Sequence, residues 1–307
     1  MTTQDIAPLT TGTHSIEVDG IVQRYHVHGQ GPVCVAHSGG PGIAWEYLRM
    51  PELERRLTVV YLEPIGTGAS GRLAAHPAGY TRARYSRCLD AVIEHLGVGR
   101  VHLLGHSHGG FVAQYLALRH PEQVASVILY ESAPVTGDEH VAEAMARFQE
   151  FAARNADRPE LPEVVAALQS LPAATGDDEI TRVVRGVIPA YFADFWGREQ
   201  EFSAFRSAAA AAFIRAEDDH RVPDTVDDRG ALGGLGAPAL VLVGRQDFIC
   251  GVRWAEELHA LIPGSELVVF EDSGHFAHIE EPERFAEVVA GFVAARTADA
   301  GPAPVEG

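Results

Sequence analysis

Lysine is absent from the 307-residue sequence, so all 24 basic residues are arginine. This absence excludes a lysine Schiff base as a catalytic device. Basic side chains are also outnumbered, because 42 aspartates and glutamates give a formal net charge of −18 at pH 7. A chain this acidic repels the phosphate backbone of nucleic acids, so we expect no nucleic-acid partner.

Cysteine and long apolar runs are scarce as well. The three cysteines, Cys34, Cys88 and Cys250, cannot all pair with one another and lack metal-ligand spacing, which favours buried thiols in a reducing compartment. No run reaches the 18 apolar residues of a membrane span. Residues 1–20 lack the basic and apolar segments of a signal peptide. We therefore expect a cytoplasmic protein with no membrane partner; the sequence does not indicate its oligomeric state.

Short apolar runs alternate with helical patterns in the first and last parts of the chain. This alternation predicts an α/β fold with a mostly parallel central sheet and helices on both faces. Asp19-Gly20 predicts a hairpin turn between residues 14–18 and 21–27. The other predicted strands are residues 33–37, 58–63, 101–105, 126–132, 239–244 and 266–270.

One alanine-rich block interrupts the alternation. Residues 134–236 have a helical pattern without strand signals, which predicts a helical lid over the carboxyl ends of the strands. Residues 1–133 and 237–296 then form the core, and we expect residues 297–307 to be a disordered tail. The lid carries bulky aromatics that fit either a substrate-binding wall or the core of the lid itself: Phe192, Phe195, Trp196, Phe202, Phe205 and Phe213.

The sequence GHSHG at residues 105–109 fits the motif G-x-S-x-G, with a predicted strand before it and a helix after it. In this context the serine sits on a strained turn and its hydroxyl is exposed. Ser107 is therefore the candidate nucleophile, and the amide of His108 at the helix N-terminus is a candidate donor to an oxyanion. His106 and His108 either line the pocket or only pack beside it.

A serine nucleophile needs a base, and the base needs an orienting group. Asp247 follows one predicted strand and His275 follows the next, so both are expected at the same sheet edge as Ser107. The order Ser, Asp, His is typical of the fold to which this motif belongs. His278 lacks an accompanying set of carboxylate or cysteine ligands, and we expect neither a metal nor a cofactor.

With these motifs the chain resembles the α/β-hydrolase superfamily and, within it, the proline iminopeptidase group. Residues 38–42, SGGPG, correspond to the H-G-G-P-G loop of that group, and residues 63–70, EPIGTGAS, to its D-Q-x-G-x-G-x-S segment. The resemblance covers residues 15–135 and 236–293. It implies that the amides of Gly39 and Gly40 complete the oxyanion hole with His108.

The resemblance also implies that lid glutamates hold the free amine of a peptide substrate, one of them near a tryptophan. The candidates in this lid are Trp196, Glu199, Glu201 and Glu217, although FWGREQEF at residues 195–202 does not match the motif of the group.

The sequence therefore predicts a serine hydrolase that cleaves a small ester, amide or short peptide through an acyl-enzyme, with properties similar to a proline iminopeptidase. The alternatives are an esterase or lactonase, or a carbon–carbon bond hydrolase acting on an apolar small molecule. A catalytically silent ligand receptor is the alternative from a different class, and an intact Ser107, Asp247 and His275 set argues against it.

Overall fold

Eight strands form the central sheet of this computed structural model, which describes residues 7–299. They are β1 (Gly12–Val18), β2 (Ile21–Gly29), β3 (Val33–His37), β4 (Thr58–Glu63), β5 (Val101–His106), β6 (Val124–Tyr130), β7 (Ala239–Gly244) and β8 (Glu266–Phe270). Their order is β1-β2-β4-β3-β5-β6-β7-β8. β2 is antiparallel to β1 and β4, and the remaining neighbouring strands are parallel. The predicted fold class is confirmed.

Helices cover both faces of this sheet. They are α1 (Pro51–Glu54), α2 (Arg82–Leu96), α3 (His108–Arg119), α4 (Asp138–Arg154), α5 (Leu161–Ser170), α6 (Asp177–Val187), α7 (Glu199–Ala208), α8 (Val252–Leu261), α9 (Ala277–Glu280) and α10 (Pro282–Asp299). Helices α2, α3 and α8 pack with one apolar cluster of the sheet, and α1 and α10 pack with the other. Strands buried on both faces explain the continuous apolar runs in the sequence.

The segment between β6 and β7 contains α4 to α7, and its described residues form isolated bridges but no strand. Its aromatics divide between two roles. Phe192, Phe195 and Phe202 are buried in an apolar cluster of the lid, which also includes Phe276 of the core. Phe205 lines a cavity under the lid. The lid aromatics therefore pack both with one another and against the core, and they also present aromatic surface to the cavity.

The end of the chain differs from the prediction. Helix α10 continues through Asp299, three residues into the tail that was predicted to be disordered, and residues 300–307 lie outside the described part. Among the described residues, no helix combines the length and the apolar character needed to cross a membrane. Cys34, Cys88 and Cys250 are buried free thiols.

The topology explains where a ligand site can form. The chain runs from β3 to β4 on one side and later reaches β5 on the other side of β3. Loops that follow β3 and β5 therefore diverge at the carboxyl edge and leave a crevice, which is where open α/β sheets bind ligands. Residues 38–42 follow β3, and Ser107 follows β5.

Candidate active site

Ser107 stands at the turn between β5 and α3. Its φ of 53° and ψ of −118° lie in a region that residues with a side chain rarely adopt. Small neighbours make this turn possible: a Cβ on Gly105 would overlap the Gly109 carbonyl, and one on Gly109 would overlap the His37 carbonyl. Close approach of the strand and the helix thus holds Ser107 on a strained corner, as expected of a nucleophile on such a turn.

Asp247 and His275 lie on the loops that follow β7 and β8. The His275 Nδ1 is 2.8 Å from the Asp247 Oδ2, and the residues are 4% and 1% exposed. A carboxylate only accepts hydrogen bonds, so Nδ1 carries the proton and Nε2 keeps a lone pair. Burial raises the pKa of Asp247, but the attraction and hydrogen bond of His275, together with the Ile249 N–H, outweigh burial and lower it.

Ser107 and His275 line the same cavity, whose volume is about 520 Å³. The sheet therefore brings the predicted nucleophile and base to one space, and Asp247 is hydrogen-bonded behind the base. Asp247 lies 140 positions after Ser107 in the sequence, and His275 lies 28 positions after Asp247. Parallel strands bring all three residues to the same edge of the sheet. Such an arrangement can move a proton from a serine hydroxyl to an imidazole.

A buried glutamate joins the lid to the His275 loop. The carboxylate of Glu280 accepts the Ala193 N–H at 2.8 Å with Oε1 and the Gly274 N–H at 2.7 Å with Oε2. The His275 N–H donates to the Tyr191 carbonyl at 2.6 Å. The position of His275 thus depends on the backbone of the lid.

Glu280 also predicts a pH dependence of stability. Burial raises its pKa from 4.5 to about 7, despite the two N–H donors. The folded protein therefore retains a proton that the unfolded chain releases between pH 4.5 and about 7. As pH rises through this range, Glu280 lowers the free energy of unfolding by roughly 3 kcal/mol. Urea unfolding across this range should show a shallower decline for Glu280→Gln than for the wild type.

The exposed Glu283 supplies the matched control for that measurement. Glu283→Gln is expected to keep the pH dependence of the wild type, because it changes an exposed position and leaves the buried Glu280 carboxyl in place. Equal slopes for the wild type and Glu280→Gln would contradict the assignment.

The predicted oxyanion hole is only partly open. The Gly39 N–H donates to the Tyr47 hydroxyl at 2.6 Å, and this hydroxyl lies 2.6 Å from the Nδ1 of His106. His106 Nε2 lies 2.9 Å from the His275 carbonyl oxygen, which can only accept. The proton of His106 is therefore on Nε2, and Tyr47 donates to Nδ1. Contrary to the implied role, the Gly39 amide is already engaged.

The other two amides implied for the oxyanion hole differ from Gly39. His108 is the first residue of α3, so its N–H has no acceptor within the helix. It lies at the helix N-terminus, where the helix dipole favours negative charge. Gly40 has φ +125°, a conformation that favours glycine, and lines the cavity. The amides of His108 and Gly40 thus remain candidates for stabilising a substrate oxygen.

Several histidines near the carboxyl edge of the sheet are neutral. Burial lowers the pKa of His37 and His278 to about 4 and that of His108 to about 3, and it lowers the pKa of His106 well below its usual value. His106 lines the cavity and packs against His275 with ring centroids 4.6 Å apart. These imidazoles therefore add polar atoms without positive charge.

The cavity walls are mainly apolar. Among the described residues, the lining includes no arginine, and Glu46 is its single carboxylate. The apolar lining comes from the loop after β3, the lid and the loops that follow β7 and β8: Pro41, Ile43, Ala44, Leu171, Ile180, Val184, Ile188, Phe205, Ala208, Ala209, Ala210, Ala212, Phe213, Ile214, Ile249 and Phe276. Such a surface accommodates a neutral, apolar group.

The four lid residues implied for substrate binding are not among the residues that line this cavity. Trp196 stacks on Phe151 in the lid, with centroids 5.8 Å apart. Glu199 and Glu201 are exposed on α7, and Glu201 pairs with Arg198 at 2.7 Å. The Glu217 side chain lies 3.9 Å from an arginine of its own segment. None of these three carboxylates therefore faces the cavity that Ser107 lines.

Sequence reasoning missed two polar groups at the site, Tyr47 and Glu131. Glu131 follows β6 directly, is 0% exposed and has a φ of 49°. An acidic residue immediately after a strongly apolar strand was the available signal, since it places a carboxyl at the carboxyl edge of the sheet. Tyr47 lies in a short 3-10 helix and carried no such signal.

Comparison with known proteins places this geometry in a family. The family model for the alpha/beta hydrolase fold matches residues 32–282. The 2-hydroxymuconate semialdehyde hydrolase of Pseudomonas sp. (strain CF600) is 29% identical over 281 residues, which cover 90% of this chain and 91% of that protein.

Two further proteins are similar to this chain over most of its length. The proline iminopeptidase of Clostridium botulinum is 25% identical over 84% of this chain and 88% of its own length. A solved meta-cleavage product hydrolase from Pseudomonas fluorescens IP01 superimposes with a TM-score of 0.68 and 20% identity, covering 92% of this chain and 97% of that chain. The α/β-hydrolase resemblance is confirmed, and the chain belongs to the alpha/beta hydrolase fold family.

Proposed function

We propose that this protein is a serine hydrolase that cleaves esters or lactones of neutral, apolar acids. The observation that carries the proposal is the cavity, because Ser107 and His275 face a mainly apolar space whose described lining includes no cation. An apolar acyl chain gains free energy from burial there, whereas a substrate carboxylate would lose its hydration without gaining a partner.

In the proposed reaction, the Ser107 hydroxyl attacks the acyl carbonyl while His275 Nε2 takes its proton. Asp247 holds the imidazolium that forms. The developing oxyanion accepts hydrogen bonds from the amides of His108 and Gly40, and His275 returns the proton to the departing alcohol. Water then attacks the acyl-enzyme with His275 as base, which releases the acid and restores Ser107.

The aminopeptidase interpretation is less well supported. A free substrate amine needs a carboxylate inside the cavity, and the lid glutamates implied for that role lie elsewhere. Glu46 is the acid in the described lining, but it is exposed, so water screens its charge. Cleavage of a proline chromogenic amide would reverse this assessment.

The carbon–carbon bond hydrolase is the second candidate, and the similarity to 2-hydroxymuconate semialdehyde hydrolase over most of both chains favours it. A muconate carries carboxylate charge. The described cavity lining lacks an arginine to pair with such a charge, so we rank this reaction below ester hydrolysis.

The test is a panel of p-nitrophenyl esters from acetate to decanoate, with a proline chromogenic amide and a vinylogous keto acid as the competing substrates. We expect kcat/KM for the esters to rise by up to about fourfold for each methylene that the cavity buries. Turnover of the amide or the keto acid with no ester cleavage would contradict the proposal.

Val184 tests whether the cavity holds the acyl chain. This residue of α6 lines the cavity, and a phenylalanine there would fill part of it. We expect Val184→Phe to lower kcat/KM for long-chain esters by about tenfold while acetate hydrolysis changes little. The control is Val141→Phe at a 57% exposed position of α4, and an equal loss for all chain lengths would contradict this role.

A further inference from the structure

Glu131 lies next to the Asp247–His275 pair, and one oxygen of its carboxyl group has no hydrogen-bond partner. Its Oε1 accepts the Gly244 N–H at 2.8 Å, while its Oε2 is buried and has no hydrogen-bond donor facing it. One oxygen of Glu131, one of Asp247 and one His275 nitrogen lie within 4.8 Å of one another. Two buried carboxyl groups thus share one small space.

Two carboxylates at this distance cannot both be ionised without a large electrostatic penalty, so the pair retains one proton. The hydrogen bonds decide which group retains it. Asp247 accepts from His275 Nδ1 and from the Ile249 N–H, whereas Glu131 accepts from the Gly244 N–H alone. Asp247 accepts more hydrogen bonds, so its negative charge is the better stabilised of the two.

We propose that Glu131 is a positioning residue that stays protonated and donates a hydrogen bond from Oε2 to Asp247. This hydrogen bond gives the Glu131 Oε2 a partner and holds the Asp247 carboxylate in place beside His275. The role rests on the proposed serine hydrolase function, because its purpose is to keep the base oriented during proton transfer. Asp247, rather than Glu131, remains the charged member.

The surroundings of Glu131 keep this assignment stable near neutral pH. The titratable groups that face the pair are Tyr130, Glu280, Cys250, His140, Tyr191 and His275. Burial raises the pKa of Tyr130 and Cys250 well above their usual values, so both are neutral. Burial and the negative charge of Asp247 raise the pKa of Glu131 well above its ordinary value.

Two substitutions separate a protonated carboxyl from an ionised one. In Glu131→Gln the amide oxygen can accept from Gly244 and the amide nitrogen can donate to Asp247, so we expect kcat within about threefold of the wild type. Glu131→Met has a similar volume but no donor, and we expect kcat to fall about 10- to 100-fold with little change in KM, as losses of orienting partners commonly do. Thermal melting of both variants checks that they fold.

Infrared spectroscopy gives a readout that does not depend on activity. At about pH 8.5, where Glu280 with its pKa near 7 is ionised, the wild type should show the carbonyl band of a buried carboxylic acid. The band should be absent in Glu131→Gln and present in Glu280→Gln. It also tests the proposal if Glu131→Met fails to fold.

Absence of the band from the wild type, or an equal loss of kcat in Glu131→Gln and Glu131→Met, would overturn the proposal. Loss of activity on adding a chelator would also overturn it, because a divalent cation would then occupy the cluster. If the band is present but Ser107→Ala retains full activity, the proposed function fails while the protonation of Glu131 stands.

Discussion

Alanine at position 107 is expected to lower kcat for ester hydrolysis by about 10⁴- to 10⁶-fold. The substitution removes the hydroxyl that attacks the acyl carbonyl, so only the amides and the cavity are left to assist attack by water. Alanine is smaller than serine and adds no strain at φ 53°, so the fold should be retained. KM should change little, because the cavity walls are untouched.

The measurement is a steady-state assay with the best ester of the panel, accompanied by labelling with a fluorophosphonate. The wild type should gain one adduct on Ser107, and Ser107→Ala should gain none. The control is Ser126→Ala, a buried serine in β6 whose hydroxyl contacts His102 rather than the cavity. If Ser107→Ala kept more than about a tenth of the wild-type rate, the nucleophile would have to be a different group.

Asparagine at position 247 should lower kcat by about 10⁴-fold. The two oxygens of Asp247 accept from the Ile249 N–H and from His275 Nδ1. An asparagine has a single oxygen, and the fixed backbone amide of Ile249 retains it. The NH₂ group then faces Nδ1, which forces the His275 proton onto Nε2 and removes the lone pair that must accept the serine proton.

The exposed Asp272, three residues before His275, provides the matched control for this substitution. Asp272→Asn should leave kcat unchanged, because its carboxylate is solvated and does not orient the imidazole. The tautomer can be read from the ¹⁵N chemical shifts of labelled histidine. A wild-type tautomer together with wild-type activity in Asp247→Asn would refute the role assigned to Asp247.

The sequence predicted the elements and residues whose signals are local. Strands at residues 33–37, 58–63, 239–244 and 266–270 have the predicted bounds, because buried parallel strands are apolar without interruption and end at turn residues. Ser107 is the candidate nucleophile because strand, turn and helix carry the motif together, and the structure places it on that turn. Asp247 and His275 followed from the rule that such loops share an edge of the sheet.

Features that depend on packing between distant segments could not be predicted. Glu199 and Glu201 have carboxylates that could pair with a substrate amine. The orientation of α7 on the lid decides where these side chains lie, and both are exposed. The contact between Tyr47 and the Gly39 amide depends on how a 3-10 helix packs over the loop after β3. No spacing in the sequence encodes either arrangement.

The attachment of the lid to the His275 loop limits how this protein can be engineered. Tyr191 contributes a carbonyl and Ala193 an amide to that attachment, so both contacts depend on the path of the backbone and not on side-chain identity. Chimeras that exchange the lid with that of another hydrolase should therefore retain residues 188–195 and place their junctions outside them. Ile180 and Val184 of α6 line the cavity and lie outside this segment, so point substitutions there are the better way to change substrate preference.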